Sequence, residues 1–471
     1  MSLISRLPEI LEAGRAQYES MTPGDFRDAV VYGKGVNMMA IGDNMSFMCH
    51  LIEKKSMTGK IKMIYVDPPF FSGADHQAGF KLRSDIIEDI PVIRPLAYSD
   101  KWESSVETYL AMLCARLLAM RELLSDEGCI WMHLDWHIVH YVKILMDEIF
   151  GEKNFINEII WEYKSGGAGK RHFARKHDTL LLYSKTGKYY LKTGKEKSYN
   201  RGLKPYRFKG VEEFQDEHGW YTMVNVKDVW QIDMVGRSSA ERTGYATQKP
   251  QALLRRIIES TTEKGDICAD FFAGSGTMCA AAGEADRKWI SCDSSSIAIA
   301  AAERRLCSSE GGISVMEDHA RTGGRLRRRA DGDESVLESD ADGPIEQPDA
   351  GKPIPAIDAE ISCGGTGTDK DAHTVLSLCG YRPDIASLPL DEKDRETIRV
   401  ILEKDPLLLI EMWSVDTGWD GEVHRADICL PREKTKVPES CMFECRPGSH
   451  INIRVIDIFG NRISKTIESE N

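Results

Sequence analysis

The sequence predicts a mainly parallel α/β sheet with helices on both faces, followed by a small β-rich domain. Three observations carry this. Short apolar, β-branched runs alternate with helical-period segments between about residues 36 and 306, the pattern of strand–helix–strand crossovers. Two of those runs stop at an acid followed by a loop, Val66 at Asp67-Pro68-Pro69-Phe70 and Ala269 at Asp270-Phe271-Phe272-Ala273-Gly274-Ser275-Gly276-Thr277. In open α/β sheets the carboxyl ends of strands are where ligands sit. Finally, residues 331–370 hold eleven acids against two bases, with Gly and Pro interspersed. Such a stretch buries too little to fold and reads as a linker.

Taken in order, residues 1 to about 30 read as a helical preface. Val36 to Ile41 is a strand ending at Gly42-Asp43-Asn44, followed by a helix over Met45 to Lys54. Lys62 to Val66 is a buried strand; Pro68 and Pro69 fix φ and lack N–H donors, so it ends there. After a loop to about Ser99, Leu110, Leu113, Leu117, Met120 and Leu124 mark a helix over Val106 to Ser125. Cys129 to Leu134 is the next strand and His137 to Phe150 the next helix. Ile156 to Tyr163 and Thr179 to Ser184 are strands joined by a Gly- and base-rich loop.

An irregular segment reaches about Ala246. Pro250 opens a helix to Thr262, where its missing N–H costs nothing. Strands over Ile267 to Ala269 and Lys288 to Cys292 flank a small-residue helix, and a last helix spans Ser296 to Leu306. The domains expected are 1–318, a linker over 319–373 and a β-rich unit over 374–471, whose clearest strand is His450 to Phe459.

Composition excludes several classes. No apolar run reaches the roughly 18 residues of a membrane span, and Met1 to Arg6 carries no signal-peptide pattern, so a cytoplasmic protein is expected. There is no P-loop motif, hence no ATP use, and no Cys-x-x-Cys. His133, His137 and His140 stand at helical spacing but lack a Glu or Cys companion, so no metal is expected.

The overall charge of −13 hides a basic region. Between Trp161 and Gly210 fourteen Lys/Arg face three acids, interleaved with Tyr183, Tyr189, Tyr190, Tyr199, Tyr206 and Phe208. That mixture suits phosphate contact and base stacking. Lys164, Lys170, Arg171, Arg175, Lys176, Arg201, Lys204 and Arg207 are its candidate contacts.

The Phe272-x-Gly274-x-Gly276 loop between strand and helix is a nucleotide-type loop, and Asp293, one strand later, is placed to accept from ribose hydroxyls. Cys279 stands where the third glycine of a dinucleotide fingerprint would fall. The pattern therefore suits a nucleoside without pyrophosphate, which points to S-adenosylmethionine.

Asp67-Pro68-Pro69-Phe70 and Asp270 to Gly276, with Gly42-Asp43-Asn44, Cys129 to Phe155 and Thr247-Gln248-Lys249-Pro250, resemble the amino-methyltransferases that act on exocyclic nitrogens of DNA bases. The resemblance covers about residues 35–306. It is to the β class, and within it to adenine-specific methylases like the modification subunits of type III restriction systems. Phe271 stands where the family usually has proline, and Phe70 replaces the commoner tyrosine.

The resemblance implies a Rossmann-like, circularly permuted fold, catalytic half first (about 31–185), then a target-recognition region (186–246) and a cofactor half (247–306). It implies S-adenosylmethionine as methyl donor and double-stranded DNA as substrate, with a restriction subunit or a second copy of the chain as further partners. Asp67 and the Pro68 carbonyl would accept from the amine, Pro69 would stiffen the loop and Phe70 would stack on the flipped base. Asp43, Lys249, Pro250, Asp270, Phe272, Gly274, Ser275, Gly276, Thr277 and Asp293 would hold the cofactor. The expected product is N6-methyladenine; N4-methylcytosine, or a non-catalytic DNA-binding subunit of the same fold, is the alternative.

Overall fold

The computed structural model describes residues 3–319, 356–364 and 373–469, apart from 102–104, 165–170, 172, 237–238, 240, 246, 384, 386–387, 389, 434 and 447. Its centre is an eleven-stranded mixed sheet. The strands of its middle are β2 (Asn37–Ile41), β3 (Ile61–Val66), β6 (Leu124–Leu134), β13 (Ile267–Asp270), β14 (Lys288–Asp293) and β15 (Ile313–Asp318), parallel and in the order β6-β3-β13-β14-β2-β15. On the β6 side, β8 (His177–Ser184) and β7 (Phe155–Glu162) continue antiparallel, and β12 (Val229–Gln231) closes that edge. On the β15 side, β1 (Phe26–Tyr32) pairs antiparallel.

Side chains alternate across the sheet because the strand period is two. Ile64 and Val66 of β3 pack with α2 (Asn44–Glu53), α3 (Val106–Leu123) and α4 (Val139–Phe150), and α1 (Leu7–Glu19) joins that layer through Ile10. Met63 and Tyr65 face the other way, onto α5 (Gln251–Thr261), α6 (Thr277–Glu284) and α7 (Ser296–Leu306). A strand bearing apolar groups on both faces is the signature of a sheet covered on both sides, and the run at Lys62–Val66 carries it.

Three features differ from the sequence reading. The preface contains β1, whose buried Phe26, Val30 and Tyr32 are served by pairing with β15. The strand β2 sits between β14 and β15, so residues 37–53 lie beside the strands of the expected cofactor half although they precede β3 in the chain. The basic stretch and the segment read as irregular hold strands: β9 (Lys195–Tyr199), β10 (Glu213–Asp216) and β11 (Gly219–Asn225) form a separate three-stranded sheet. A short hairpin of β4 (Asp75–Gln77) and β5 (Leu96–Ser99) follows the Pro-Pro loop.

The C-terminal unit starts earlier than expected. Backbone strand β16 (Ala356–Gly364) pairs with β17 (His373–Arg382) and lies within the stretch read as linker. Helix α8 (Glu392–Lys404) and strands β18 (Ile410–Asp416), β20 (Ile428–Pro431), β21 (Ser440–Phe443), β22 (His450–Asp457) and β23 (Arg462–Glu468) complete it. It does not stand apart. Strand β19 (His424–Ala426) joins the main sheet beside β1, with Val30 opposite His424.

Ion pairs Arg462–Glu303 at 2.9 Å, Arg454–Glu317 at 2.8 Å and Arg304–Glu411 at 2.8 Å cross the boundary. One apolar cluster mixes Ala78, Phe80, Ile93 and Ala97 with Leu376, Ile398, Ile401 and Val455. No helix among the described residues is long and apolar enough to cross a membrane.

His424 gives this joint a pH dependence. Its ring is buried, with Nδ1–H donating to Asn452 Oδ1 at 2.7 Å and Nε2 accepting from Ser414 at 2.9 Å. Burial, then the Arg454 charge, lowers its pKa to about 4. The unfolded chain takes up the proton near the ordinary value, so the neutral ring's contribution is present at pH 7 and is lost as pH falls toward 4. From this group alone the loss is about 3 kcal/mol. Denaturant unfolding across that range should show the slope, and His424→Gln, which cannot titrate, should flatten it.

Candidate active site

The sheet brings the two acid-ended strands together. β3 and β13 are neighbours, with Tyr65 opposite Asp270. Asp67 and the Asp270 loop therefore open into one crevice at the point where the strand order jumps in sequence, the place such sheets reserve for ligands. A cavity of about 750 Å³ lies there, lined by residues of both loops, well within the size range of ligand sites.

The Pro-Pro loop is held rigidly. Asp100, which the sequence did not single out, accepts from the N–H groups of Phe71 (3.0 Å) and Ser72 (2.7 Å) and from the Ser72 hydroxyl (2.6 Å). The Tyr109 hydroxyl donates to the Pro69 carbonyl at 2.7 Å. Phe71 is left-handed at φ 60°, and across the cavity Thr247 is left-handed at φ 57°. Such conformations cost about 1–3 kcal/mol each and collect at functional sites. Asp67 places Oδ2 at 2.5 Å from Lys249 Nζ, while its Oδ1 is buried with no hydrogen-bond partner among the described residues.

Behind Phe70 lies a buried polar chain. His133 contacts the Tyr65 hydroxyl at 2.6 Å through Nδ1 and Asp178 at 3.2 Å through Nε2, and Tyr163 donates to Asp178 at 3.0 Å. Burial opposes ionisation of Asp178, yet the His133 contact holds its carboxyl below the usual range. The Phe70 and His133 rings are 5.9 Å apart. His133 sits in β6, so it shares no helix face with His137 and His140; no His/Cys/Asp/Glu group among the described residues could hold a metal.

On the other side Asp270 accepts from the Phe272 N–H at 3.0 Å. Burial, with the charges of Asp67 and Asp293 adding to it, pushes its carboxyl well up. Asp293 accepts from Gly274 N–H and Ser295 N–H, each at 2.8 Å, and burial raises its pKa as well. Gly274 has φ 49° and lines the cavity; Gly276 has φ 71° and packs under α7, where a Cβ would meet Ala302 at 2.9 Å.

Phe272, Ser275, Thr277, Asp293 and Asp43 also line the cavity, whereas Gly276 and Pro250 do not. Pro250 is the N-cap of α5. Asp43 caps α2 through Ser46 N–H at 2.9 Å and pairs with Arg116 at 3.2 Å. Tyr98 and Tyr245 complete the wall. No spacing rule marks them, Asp100 or Tyr109 in the sequence, since they come from irregular segments and from a helix read only for its core.

Of the basic candidates, Lys164, Arg171, Arg175, Arg201, Lys204 and Arg207 are exposed and Lys176 is half-buried; Lys170 lies outside the described residues. Arg175 stacks over Trp136 at 3.7 Å, one residue beyond the cavity-lining Asp135.

The cavity suits a nucleoside bearing a positive charge: acids outnumber bases in its lining, and Gly274 lets backbone approach closely. Fold and site together define an α/β group-transfer enzyme with two loops facing one crevice. The chain belongs to the N6_N4_Mtase family of DNA methylases, which matches residues 61–304.

Among relatives, the type II methyltransferase M.EcaI of Enterobacter cloacae is 27% identical over 323 residues, covering 56% of this chain and 68% of the relative. The type III restriction-modification enzyme EcoP15I Mod subunit of Escherichia coli is 27% identical over 158 residues, 32% of this chain and 24% of that one. The probable type III HindVI Mod subunit of Haemophilus influenzae is 25% identical over 408 residues, 59% and 52%. The chain thus spans about half or less of these two Mod subunits. Among solved structures, the PvuII DNA methyltransferase (cytosine-N4-specific) aligns at TM-score 0.39 and 16% identity, over 59% of this chain and 89% of that one.

Proposed function

We propose that this protein transfers a methyl group from S-adenosylmethionine to the exocyclic N6 amine of adenine in double-stranded DNA. The observation that carries the reading is the Asp67 carboxylate: one oxygen is paired, the other is buried and has no partner among the described residues, and the residue lines a cavity shared with the Asp270–Asp293 loops. An unpartnered buried acceptor is costly unless a ligand donor completes it.

An exocyclic amine is a weak nucleophile because its lone pair is delocalised into the ring. Asp67 Oδ1 and the Pro68 carbonyl would each accept one amine N–H, drawing the nitrogen toward a lone-pair-bearing geometry. The amine is buried in the duplex stack, so the base must be extruded. Phe70, supported by His133, would stack on it, and the Pro-Pro loop would hold it in line, which is catalysis by orientation. Asp293, Asp43 and the Phe272–Thr277 loop would hold the cofactor, whose sulfonium supplies an electrophilic methyl when bound.

The exposed Lys and Arg residues between 164 and 207 would contact phosphates, making binding weaken steeply with salt. The names of the type III relatives support a place in a restriction–modification system, with a restriction subunit or a second copy as partner.

Mass spectrometry of nucleosides from DNA incubated with the protein and S-adenosylmethionine tests the reading. N6-methyladenine is expected. N4-methylcytosine alone would replace the target base, and no methylated nucleoside would overturn the proposal.

A further inference from the structure

We infer that Lys249 is a positioning residue for methyl transfer: its ammonium ties down one oxygen of Asp67 so that the other is presented to the target amine. The inference rests on the function proposed above. Lys249 Nζ lies 2.5 Å from Asp67 Oδ2 and 5.2 Å from the centre of the Phe70 ring. Both charged side chains are nearly enclosed, at 12% and 16% exposure. Asp67 Oδ1 is buried and has no partner among the described residues. The ammonium therefore orders the carboxylate without exhausting it.

The mount of Lys249 is stiff. Gln248 accepts from Thr243 N–H at 2.9 Å and donates to the Glu241 carbonyl at 2.7 Å, Thr247 is left-handed, and Pro250 caps α5 immediately after. Electrostatics point the same way. Arg116 and Lys249 are the only Lys or Arg in the described lining, and Arg116 is already bound to Asp43 and Asn44.

S-adenosylmethionine carries a carboxylate as well as its cationic groups, so an ammonium could serve the cofactor or the loop; the acid that Lys249 meets is Asp67, and the affinity measurement below separates the two roles. Beside a carboxylate an ammonium gains a strong charge-assisted hydrogen bond. A carboxylate left free to rotate would present its oxygens in many orientations, and loss of alignment at the reacting nitrogen costs rate rather than affinity.

The test uses the full chain with Lys249→Met and Lys249→Arg. Single-turnover rates are measured at saturating substrates, and the affinity for S-adenosylhomocysteine is measured by calorimetry. The methionine variant should transfer methyl about 100-fold more slowly at unchanged S-adenosylhomocysteine affinity, and arginine should restore part of the rate. A double-mutant cycle isolates the route: in an Asp67→Asn background, adding Lys249→Met should cost little more, because both act through one carboxylate.

An unchanged rate in Lys249→Met, a loss of S-adenosylhomocysteine affinity matching the loss of rate, or additive effects in the cycle would each overturn the inference. A wild-type chain that methylates no DNA would instead sink the proposed function. Should the methionine variant fail to fold, Lys249→Gln serves in the same cycle.

Discussion

Alanine at Asp67 is expected to lower methyl transfer by about 1,000-fold, while S-adenosylhomocysteine still binds. Removing one fixed hydrogen-bonding group aimed at the reacting atoms costs about 100- to 1,000-fold, and this change removes the charge as well. Asp67→Asn should fall between, since an amide oxygen can still accept one bond but pairs poorly with Lys249. Cofactor affinity should persist because the Asp270 and Asp293 loops keep their own backbone hydrogen bonds. Unchanged transfer in Asp67→Ala would remove Asp67 from the mechanism. Lost cofactor affinity would instead make it part of the donor site.

The second large effect concerns the joint with the C-terminal unit. A chain ending at residue 319 is expected to be insoluble or inactive. It would bare Phe80, Ile93 and Ala97, open the β1 edge, and leave Glu303 and Glu317 without their arginines. A point change measures the same joint more gently. Glu303 is fully buried and takes bonds from Arg462 at 2.9 Å and from Tyr32 at 2.7 Å. Arg462→Met strands that carboxylate and should cost about 3–5 kcal/mol in denaturant unfolding. Glu303→Gln in the same chain should recover much of the loss. If Arg462→Met is neutral, the pair contributes no stability and the case for an integral C-terminal unit weakens.

This dependence bears on the active site. Residues 75–99, whose hairpin includes Tyr98 and precedes Asp100, pack against the C-terminal core, and Arg94 N–H donates to Asp394 at 2.9 Å. A wall of the cavity is thus supported from a domain that the sequence reading set apart behind a linker. The reason is physical: alternating apolar residues in the C-terminal strands show that those faces are buried, but not against which partner. The strand β15 was not read from the sequence at all, and its place beside β2 and β1 is what buries Ile313, Val315 and Met316.

The sequence alone determined the alternation of strands and helices and the stop of each key strand at its acid. Periodicity, proline geometry and glycine permissiveness are local, so local residues report them. It also marked the basic segment, because charge is additive along the chain.

Tertiary structure decided which strands are neighbours, and hence that Asp67 and Asp270 share one crevice. It placed β2 beside β14, gave Asp100 and Tyr109 to the Pro-Pro loop, and set Lys249, 182 residues further along the chain, on the carboxylate of Asp67. Those are contacts between distant segments, fixed by the packing of two helix layers on one sheet, and no local pattern encodes them.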